Sequence, residues 1–131
     1  MAAVVALAVI LPSLLFGGII AVDILAALVG LVCVHEYRSM ALPDEPLLGT
    51  TVLFVATSVV YLCATYAQPY MGACLGLTIV GIFVYTTLWL GDDLGDGPAR
   101  AGKLLLGVAW VGCLLPSVPL LRRMDNGLAW L

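Results

Sequence analysis

Long stretches without charge alternate with short charged clusters along this sequence. Residues 1–22, 46–91 and 104–121 carry no charged side chain. The charged residues between and after them, apart from a lone Asp23, form three clusters: Glu36, Arg38, Asp44 and Glu45; Asp92, Asp93, Asp96, Arg100 and Lys103; Arg122, Arg123 and Asp125. A charge at the centre of a bilayer is energetically costly. The pattern therefore predicts membrane-spanning helices joined by charged loops.

The middle of the chain fits two spans of ordinary length. A helix that crosses the hydrocarbon core needs about 20 apolar residues, and Leu47–Ala67 and Met71–Leu90 each supply them. Gln68 and Pro69 lie between these stretches and predict a tight turn. We therefore expect a helical hairpin here.

A further span is predicted at Ala101–Leu121. Lys103 lies in its first turn, from which a long side chain can extend to the interface. Pro116 and Pro119 are expected to kink or loosen the end of this helix, since proline cannot donate a backbone hydrogen bond.

The N-terminal stretch is harder to divide. Ala2–Val34 is almost entirely apolar, and as one helix it would be roughly 50 Å long, against a hydrocarbon core of about 30 Å. Pro12 and the Gly-Gly pair that follows offer a break. We predict one helix over residues 2–17 and a second over 19–40, although a tilted or partly re-entrant first helix stays open.

The last residues, Gly127–Leu131, begin a new apolar run that stops after about one and a half helical turns. A helix this short leaves its backbone groups unsatisfied in a membrane. We interpret it as the start of a sixth helix, with a short interfacial tail as the alternative. The expected fold is all-α, a polytopic transmembrane bundle of five spans plus the start of a sixth. Residues 1–131 would form one transmembrane domain, an N-terminal fragment of a longer protein.

Composition supports a membrane protein and excludes several other classes. Hydrophobic residues make up 63% and charged residues 10%, and the mean hydropathy is +1.17. Soluble domains are far less apolar, and disordered chains are less apolar still. The net charge of −3, with only five basic residues, argues against nucleic-acid binding. The four cysteines lie inside apolar runs without metal-ligand spacing, so we expect small buried side chains.

Two glycines, Gly72 and Gly76, form a GxxxG motif in the predicted helix Met71–Leu90. Such spacing lets two helix backbones approach closely. We expect packing within the chain here, with a homodimer as the alternative.

Few residues suggest chemistry. His35, Glu36 and Arg38 stand together and could act as an acid–base site, but neighbouring residues on a helix point to different sides, so an interfacial helix end is favoured. The DDxxD pattern at residues 92–96 is typical of diphosphate sites, but the glycines and proline around it predict a solvated loop. We predict no catalytic, cofactor-binding or metal-binding residue. The candidate contacts to lipid headgroups or the interface are Glu36, Arg38, Arg122 and Arg123.

The order of these features resembles the N-terminal half of phosphatidate cytidylyltransferase, also called CDP-diacylglycerol synthase. Ala3–Leu15 is similar to the opening helix of that family. Leu31–Met40 is similar to the end of its second helix, where Glu36 and Tyr37 match and His35 replaces a frequent tryptophan. Leu104–Leu131 is similar to the stretch before its catalytic half.

The resemblance implies conversion of CTP and phosphatidate to CDP-diacylglycerol and pyrophosphate, in a bacterial inner membrane, with Mg²⁺ as cofactor of the full-length enzyme. The signature residues of the family (a serine, Lys-Arg, Lys-Asp, His-Gly-Gly and Asp-Arg) are absent from this sequence. We therefore expect this chain alone to bind no Mg²⁺ and to be inactive. The partners implied are membrane lipids, with phosphatidate and CTP for the full enzyme.

Two functions other than an enzyme are considered for this sequence. A small non-enzymatic scaffold or interaction protein of the membrane is the alternative. A transporter fragment is disfavoured because the predicted spans show no buried ionisable pair. Orientation stays open, since three basic residues are expected on one side and two on the other.

Overall fold

The computed structural model describes residues 18–89 and 95–124, and within these residues the regular structure is entirely helical. We number the α-helices α1 to α5. They are α1 (Ile19–Ala41), α2 (Leu47–Tyr66), α3 (Met71–Trp89), α4 (Gly97–Gly107) and α5 (Ser117–Arg123), with a 3₁₀ turn at Gln68–Tyr70 and a π-helix at Val108–Cys113.

Four helical segments in this part of the chain are long and apolar enough to cross a membrane. The first three match the predicted spans closely, and the 3₁₀ turn at Gln68–Tyr70 makes the expected hairpin. The fourth, Gly97–Arg123, combines α4, the π-helix and α5. The predicted first helix at residues 2–17 and the predicted start of a sixth helix at Gly127–Leu131 lie outside the described residues, so the structure supports four spans.

The fourth segment begins earlier than the sequence pattern predicted. Helix α4 starts at Gly97 instead of Ala101, with Pro98 in its first turn. Proline is tolerated there because the first amide groups of a helix have no partner within the helix. Two of the residues that predicted a loop, Gly97 and Pro98, therefore belong to the first turn of a helix.

The middle of this segment departs from α-helical geometry. Val108–Cys113 is a π-helix, a feature that the sequence pattern did not predict. A turn at residues 115 and 116 then interrupts the helix at Pro116, where the sequence predicted a kink, and α5 begins at Ser117. A Cβ atom on Gly112 would lie 3.1 Å from Val60 Cγ1. The small residue thus allows the π-helix to approach α2 closely.

Helix α2 is the centre of the bundle and contacts α1, α3, α4 and the π-helix. The core around it consists of apolar side chains with almost no exposure, among them Leu53, Val60, Ile82, Leu104 and Val108. Helix α3 has only two buried residues, Ile82 and Thr86. Most of its apolar surface therefore faces outward, as expected for a helix in contact with lipid.

The GxxxG motif is not used for packing within the described residues. A Cβ atom on Gly72 or Gly76 would meet nothing within 4 Å, and both residues are exposed. The described residues therefore do not support the predicted packing within the chain at these two glycines, because α3 turns other residues towards α2.

Candidate functional site

The antiparallel helices gather polar residues at two opposite ends of the bundle. One end holds the connection between α1 and α2, the end of α3 and the start of α4. The other holds the start of α1, the hairpin turn and the end of α5. We call them the Glu45 end and the Asp23 end, after the buried carboxylate in each.

Glu45 connects three parts of the chain at its end of the bundle. It lies in the short connection before α2, and its side chain is 2% exposed. Its Oε2 accepts a hydrogen bond from Arg100 Nε at 2.8 Å, and its Oε1 accepts one from the Tyr85 hydroxyl at 3.0 Å. One carboxylate thereby links the connection to α3 and α4, with both oxygens satisfied.

Arg38 stabilises the same connection. Its Nη2 donates to the backbone carbonyl of Glu45 at 3.3 Å, and its Nε donates to Thr50 Oγ1 at 3.2 Å. Gly49 leaves the space that this arrangement needs, because a Cβ atom there would collide with the Glu45 carboxylate and the Tyr85 hydroxyl. The backbone around Glu45 is thus held in one conformation.

A polar cavity of about 520 Å³ opens beside this network. Its charged and aromatic lining residues are Asp44, Glu45, Trp89, Asp96, Arg100 and Lys103. The lining carries both signs of charge at one end of helices that fit membrane spans. This Glu45 cavity is the candidate functional site, since it can receive a polar group while the rest of a ligand stays at the apolar surface.

The Asp23 end contains a second ion pair. Asp23 Oδ2 accepts a hydrogen bond from Arg123 Nη2 at 2.6 Å and another from the Tyr66 hydroxyl at 2.8 Å. Arg123 also donates to the Thr65 carbonyl at 3.0 Å, and its guanidinium carbon lies 4.9 Å from the centre of the Tyr66 ring. These contacts tie α1, α2 and α5 together.

One carboxylate oxygen at this end has no hydrogen-bond partner within residues 18–89 and 95–124. Asp23 Oδ1 is buried and accepts no hydrogen bond from the residues that the structure describes. Burial of an unsatisfied polar atom is unfavourable. Among the described residues, the Asp23 carboxylate is therefore bonded through Oδ2 and not through Oδ1.

The four predicted headgroup contacts have different surroundings. Arg123 is committed to Asp23, and Arg38 to the α1–α2 connection. Glu36 is exposed, and the Nε atom of Arg122 is buried without a partner among the described residues. None of these four side chains lines the Glu45 cavity.

The structure also corrects the argument used against a transporter. The described residues do contain paired ionisable groups with a buried carboxylate, Asp23 with Arg123 and Glu45 with Arg100. Both pairs lie near helix ends, however, and neither lies at the middle of a span. They brace the bundle, and they do not define a path across it.

The described residues contain no cluster of potential metal ligands. Over residues 18–89 and 95–124, no three His, Cys, Asp or Glu side chains come close enough to hold a metal ion. Magnesium in proteins is usually held by carboxylates together with substrate phosphates. The described residues thus offer no cluster of three such ligands, and we derive no step through a metal ion.

Sequence reasoning missed the residues that build the candidate site. Glu45, Tyr85 and Arg100 form one network, but Glu45 and Arg100 are 55 residues apart in sequence. Tyr85 lies inside an uncharged stretch and carried no signal. At the opposite end of the bundle the lone charge of Asp23 did give a hint, because an isolated carboxylate in an apolar segment requires a partner.

The fold and the two charged ends define a polytopic helical protein whose surface suits a lipid bilayer. Within that class the chain belongs to the cytidylyltransferase family, which it matches over residues 1–131. This family includes phosphatidate cytidylyltransferase, and membership indicates a transferase that uses CTP. Comparison with curated proteins and with solved structures found no match.

Proposed function

We propose that this chain is part of a phosphatidate cytidylyltransferase in a bacterial inner membrane. The observation that carries the proposal is the family match over the whole chain. In the reaction, a phosphate oxygen of phosphatidate attacks the α-phosphorus of CTP. CDP-diacylglycerol forms, and pyrophosphate leaves.

The described helices suit a lipid substrate. Helix α3 exposes large apolar side chains such as Leu77 and Leu88, 74% and 77% exposed. Water would make such a surface unfavourable, whereas lipid covers it. The Glu45 cavity lies at one end of the same helices. This arrangement supports a role in which these residues hold the lipid while the nucleotide chemistry takes place on other residues.

The proposed division of labour leaves Mg²⁺ to the full-length enzyme. The ion supplies charge neutralisation at the CTP phosphates when bound. The described residues fix the geometry of the Glu45 end and keep an apolar surface towards the bilayer. We propose that they bind no Mg²⁺ themselves.

The test follows the α-phosphate and the γ-phosphate of CTP with separate labels. The full-length gene product that contains these residues is reconstituted in phosphatidylcholine vesicles with phosphatidate and CTP labelled at the α- or the γ-phosphate. Cytidylyl transfer puts the α-label into lipid and the γ-label into pyrophosphate. Transfer of the γ-label to lipid would instead show a CTP-dependent kinase, and transfer to a lipid other than phosphatidate would refute the substrate.

The 131-residue chain alone serves as a companion sample in that assay. We predict no transfer of label from it, because the family signature residues are absent from its sequence. CDP-diacylglycerol formed by this chain alone would contradict the prediction and would require a catalytic site within these residues.

A non-enzymatic scaffold is the second candidate. The face of α3 around Gly72 and Gly76 favours it, since no described residue lies within 4 Å of a Cβ atom at either position and small residues promote helix association in lipid. Loss of self-association in a Gly76→Leu variant, measured by energy transfer between labelled copies in vesicles, would support it. Unchanged association would count against it.

A further inference from the structure

An apolar cavity of about 230 Å³ lies between α1 and α2, beside the π-helix. We call it the α1–α2 groove. The residues that line it include Ala27, Gly30, Leu31 and Val34 on α1, and Phe54 and Leu62 on α2. Leu31 and Leu62 are 45% and 54% exposed, so the groove is open to the outer surface of the described helices. Inside a membrane its occupant must be apolar, because no water satisfies a polar group there.

The groove begins about one helical turn from the buried carboxylate of Asp23. Positions four apart share a helix face, so Asp23 lies in line with Ala27 and Leu31 on α1. Tyr61 lines the groove, and its hydroxyl donates to the Asp23 backbone carbonyl at 3.2 Å. Asp23 Oδ1 is buried and has no donor among the described residues. An apolar occupant that carries one hydroxyl beside Asp23 would satisfy both the groove and this oxygen.

The residues before α1 can supply such an occupant. The sequence predicts a helix over residues 2–17, and α1 begins at Ile19 with Gly18 as its N-cap residue. A connection this short places two helices side by side and antiparallel. The predicted helix would be about 24 Å long, whereas Asp23 and Val34 are about 17 Å apart along α1. It is therefore long enough to cover the groove.

The short connection also sets which residues come level. Because both helices rise about 1.5 Å per residue, a turn at residues 17 and 18 brings together residues whose numbers add up to about 36. Ser13 then lies level with Asp23, and Val9 lies level with Ala27. Ser13 carries the one polar side chain in residues 1–17. Its hydroxyl is therefore the side-chain donor that the predicted helix can offer to Asp23 Oδ1.

The face of the predicted helix that contains Ser13 is made of small residues. Ala2, Ala6 and Val9 share this face with Ser13, at spacings of three and four residues. The leucines of the same segment lie on its other faces. Small side chains let helices approach closely in a membrane. The face that would bring Ser13 to Asp23 therefore also suits close packing against α1 and α2.

We propose that residues 2–17 dock as a helix in the α1–α2 groove, with the Ser13 hydroxyl donating to Asp23 Oδ1. The Asp23 carboxylate then accepts hydrogen bonds from three parts of the chain. These are the first helix, Tyr66 on α2 and Arg123 on α5. One buried carboxylate would thereby join the first span to the last described one. The inference does not depend on the proposed function.

Disulfide crosslinking tests the docking without changing Asp23. The full chain, with its four native cysteines replaced by alanine, carries Val9→Cys together with Ala27→Cys and is reconstituted in phosphatidylcholine vesicles. Copper phenanthroline should join the two introduced thiols within one chain, as peptide mapping and a monomeric size would show. Val9→Cys with Leu28→Cys is the matched control, because exposed Leu28 lies at almost the same depth but points about 100° away around α1. Its crosslinking yield should be several-fold lower.

A double-mutant cycle tests the hydrogen bond. Ser13→Ala should raise the equilibrium constant for unfolding in SDS mixed micelles about tenfold, the effect of one hydrogen bond to a charged group. Ser13→Thr keeps the hydroxyl and should restore most of the stability. In an Asp23→Ala background the acceptor is gone, so Ser13→Ala should have almost no effect.

Three results would overturn the proposal. Equal crosslinking of Val9→Cys to Ala27→Cys and to Leu28→Cys would show that the segment has no fixed place in the groove. A crosslink between copies of the chain would identify a second copy as the occupant. Coupling of Asn126→Ala with Asp23→Ala, in place of Ser13→Ala, would assign the donor to the residues after α5. Because neither CTP nor phosphatidate is present, these results are independent of whether the proposed reaction occurs.

Discussion

The ion pair between Arg100 and Glu45 makes an asymmetric prediction. The carboxylate side chain is 2% exposed and the guanidinium side chain is 23% exposed. Arg100→Gln would leave a buried carboxylate with the Tyr85 hydroxyl as its one remaining side-chain partner among the described residues. Breaking a buried pair in this way lowers the free energy of unfolding by about 3 kcal/mol. Glu45→Gln leaves a cation that can still reach water, and the amide replaces the hydrogen bonds.

The loss for Glu45→Gln is smaller, about 1 to 2 kcal/mol, because a hydrogen bond to a neutral amide contributes less than one to a charged carboxylate. In the double variant two neutral amides face each other, so no unpaired charge remains. Its loss should be about 2 kcal/mol, well below the sum of the two single losses. The buried carboxylate, and not the number of contacts removed, therefore dominates the effect.

The assay is equilibrium unfolding in mixed micelles, with SDS as denaturant and helical circular dichroism as the signal. Lys103→Gln is the control, because it removes an exposed cation from the same helix, and it should change the free energy of unfolding by at most about 0.5 kcal/mol. Two results would refute the reasoning: a loss for Glu45→Gln as large as that for Arg100→Gln, or simple additivity in the double variant.

Two further predictions concern helix packing. At Gly112 even an added Cβ atom would lie 3.1 Å from Val60 Cγ1, so Gly112→Leu should lower the free energy of unfolding by about 1 to 3 kcal/mol. Gly76→Leu is the control, because no described residue lies within 4 Å of a Cβ atom there. Equal effects of the two substitutions would mean that the π-helix lies farther from α2. Cys74 Sγ lies 4.0 Å from the Val59 carbonyl oxygen on α2, and Cys63 lies one helical turn farther along the same face of α2. Mild oxidation with copper phenanthroline should therefore join Cys63 and Cys74 within one chain, as peptide mapping would show. Loss of that product in Cys74→Ser is the control, and an absent Cys63–Cys74 bridge would contradict the described hairpin.

The two polar ends give the bundle different properties. At the Asp23 end, Arg123 is held by an ion pair, a carbonyl and an aromatic ring. At the Glu45 end, the paired groups border a cavity instead of closing it. The first arrangement fixes helices, whereas the second fixes helices and leaves room for a ligand. This difference is why the candidate functional site lies at the Glu45 end.

The sequence by itself determined where the helices lie along the chain. The predicted spans at 19–40 and Leu47–Ala67 match Ile19–Ala41 and Leu47–Tyr66 to within one residue. The physical reason is that hydrocarbon accepts only long uncharged helices, so gaps between charges mark the spans directly. The family could be inferred as well, because its hydrophobic pattern extends along the chain.

Only the tertiary structure decided which residues meet. Asp23 and Arg123 are 100 residues apart, and nothing in a hydropathy pattern pairs them. These spans are apolar on every side, so the sequence gives the depth of a residue but not the direction in which it points around its helix. That rotation is set by packing, as where Gly112 lets the π-helix approach Val60. Packing also turns Tyr85 inward to Glu45 and Gly76 outward.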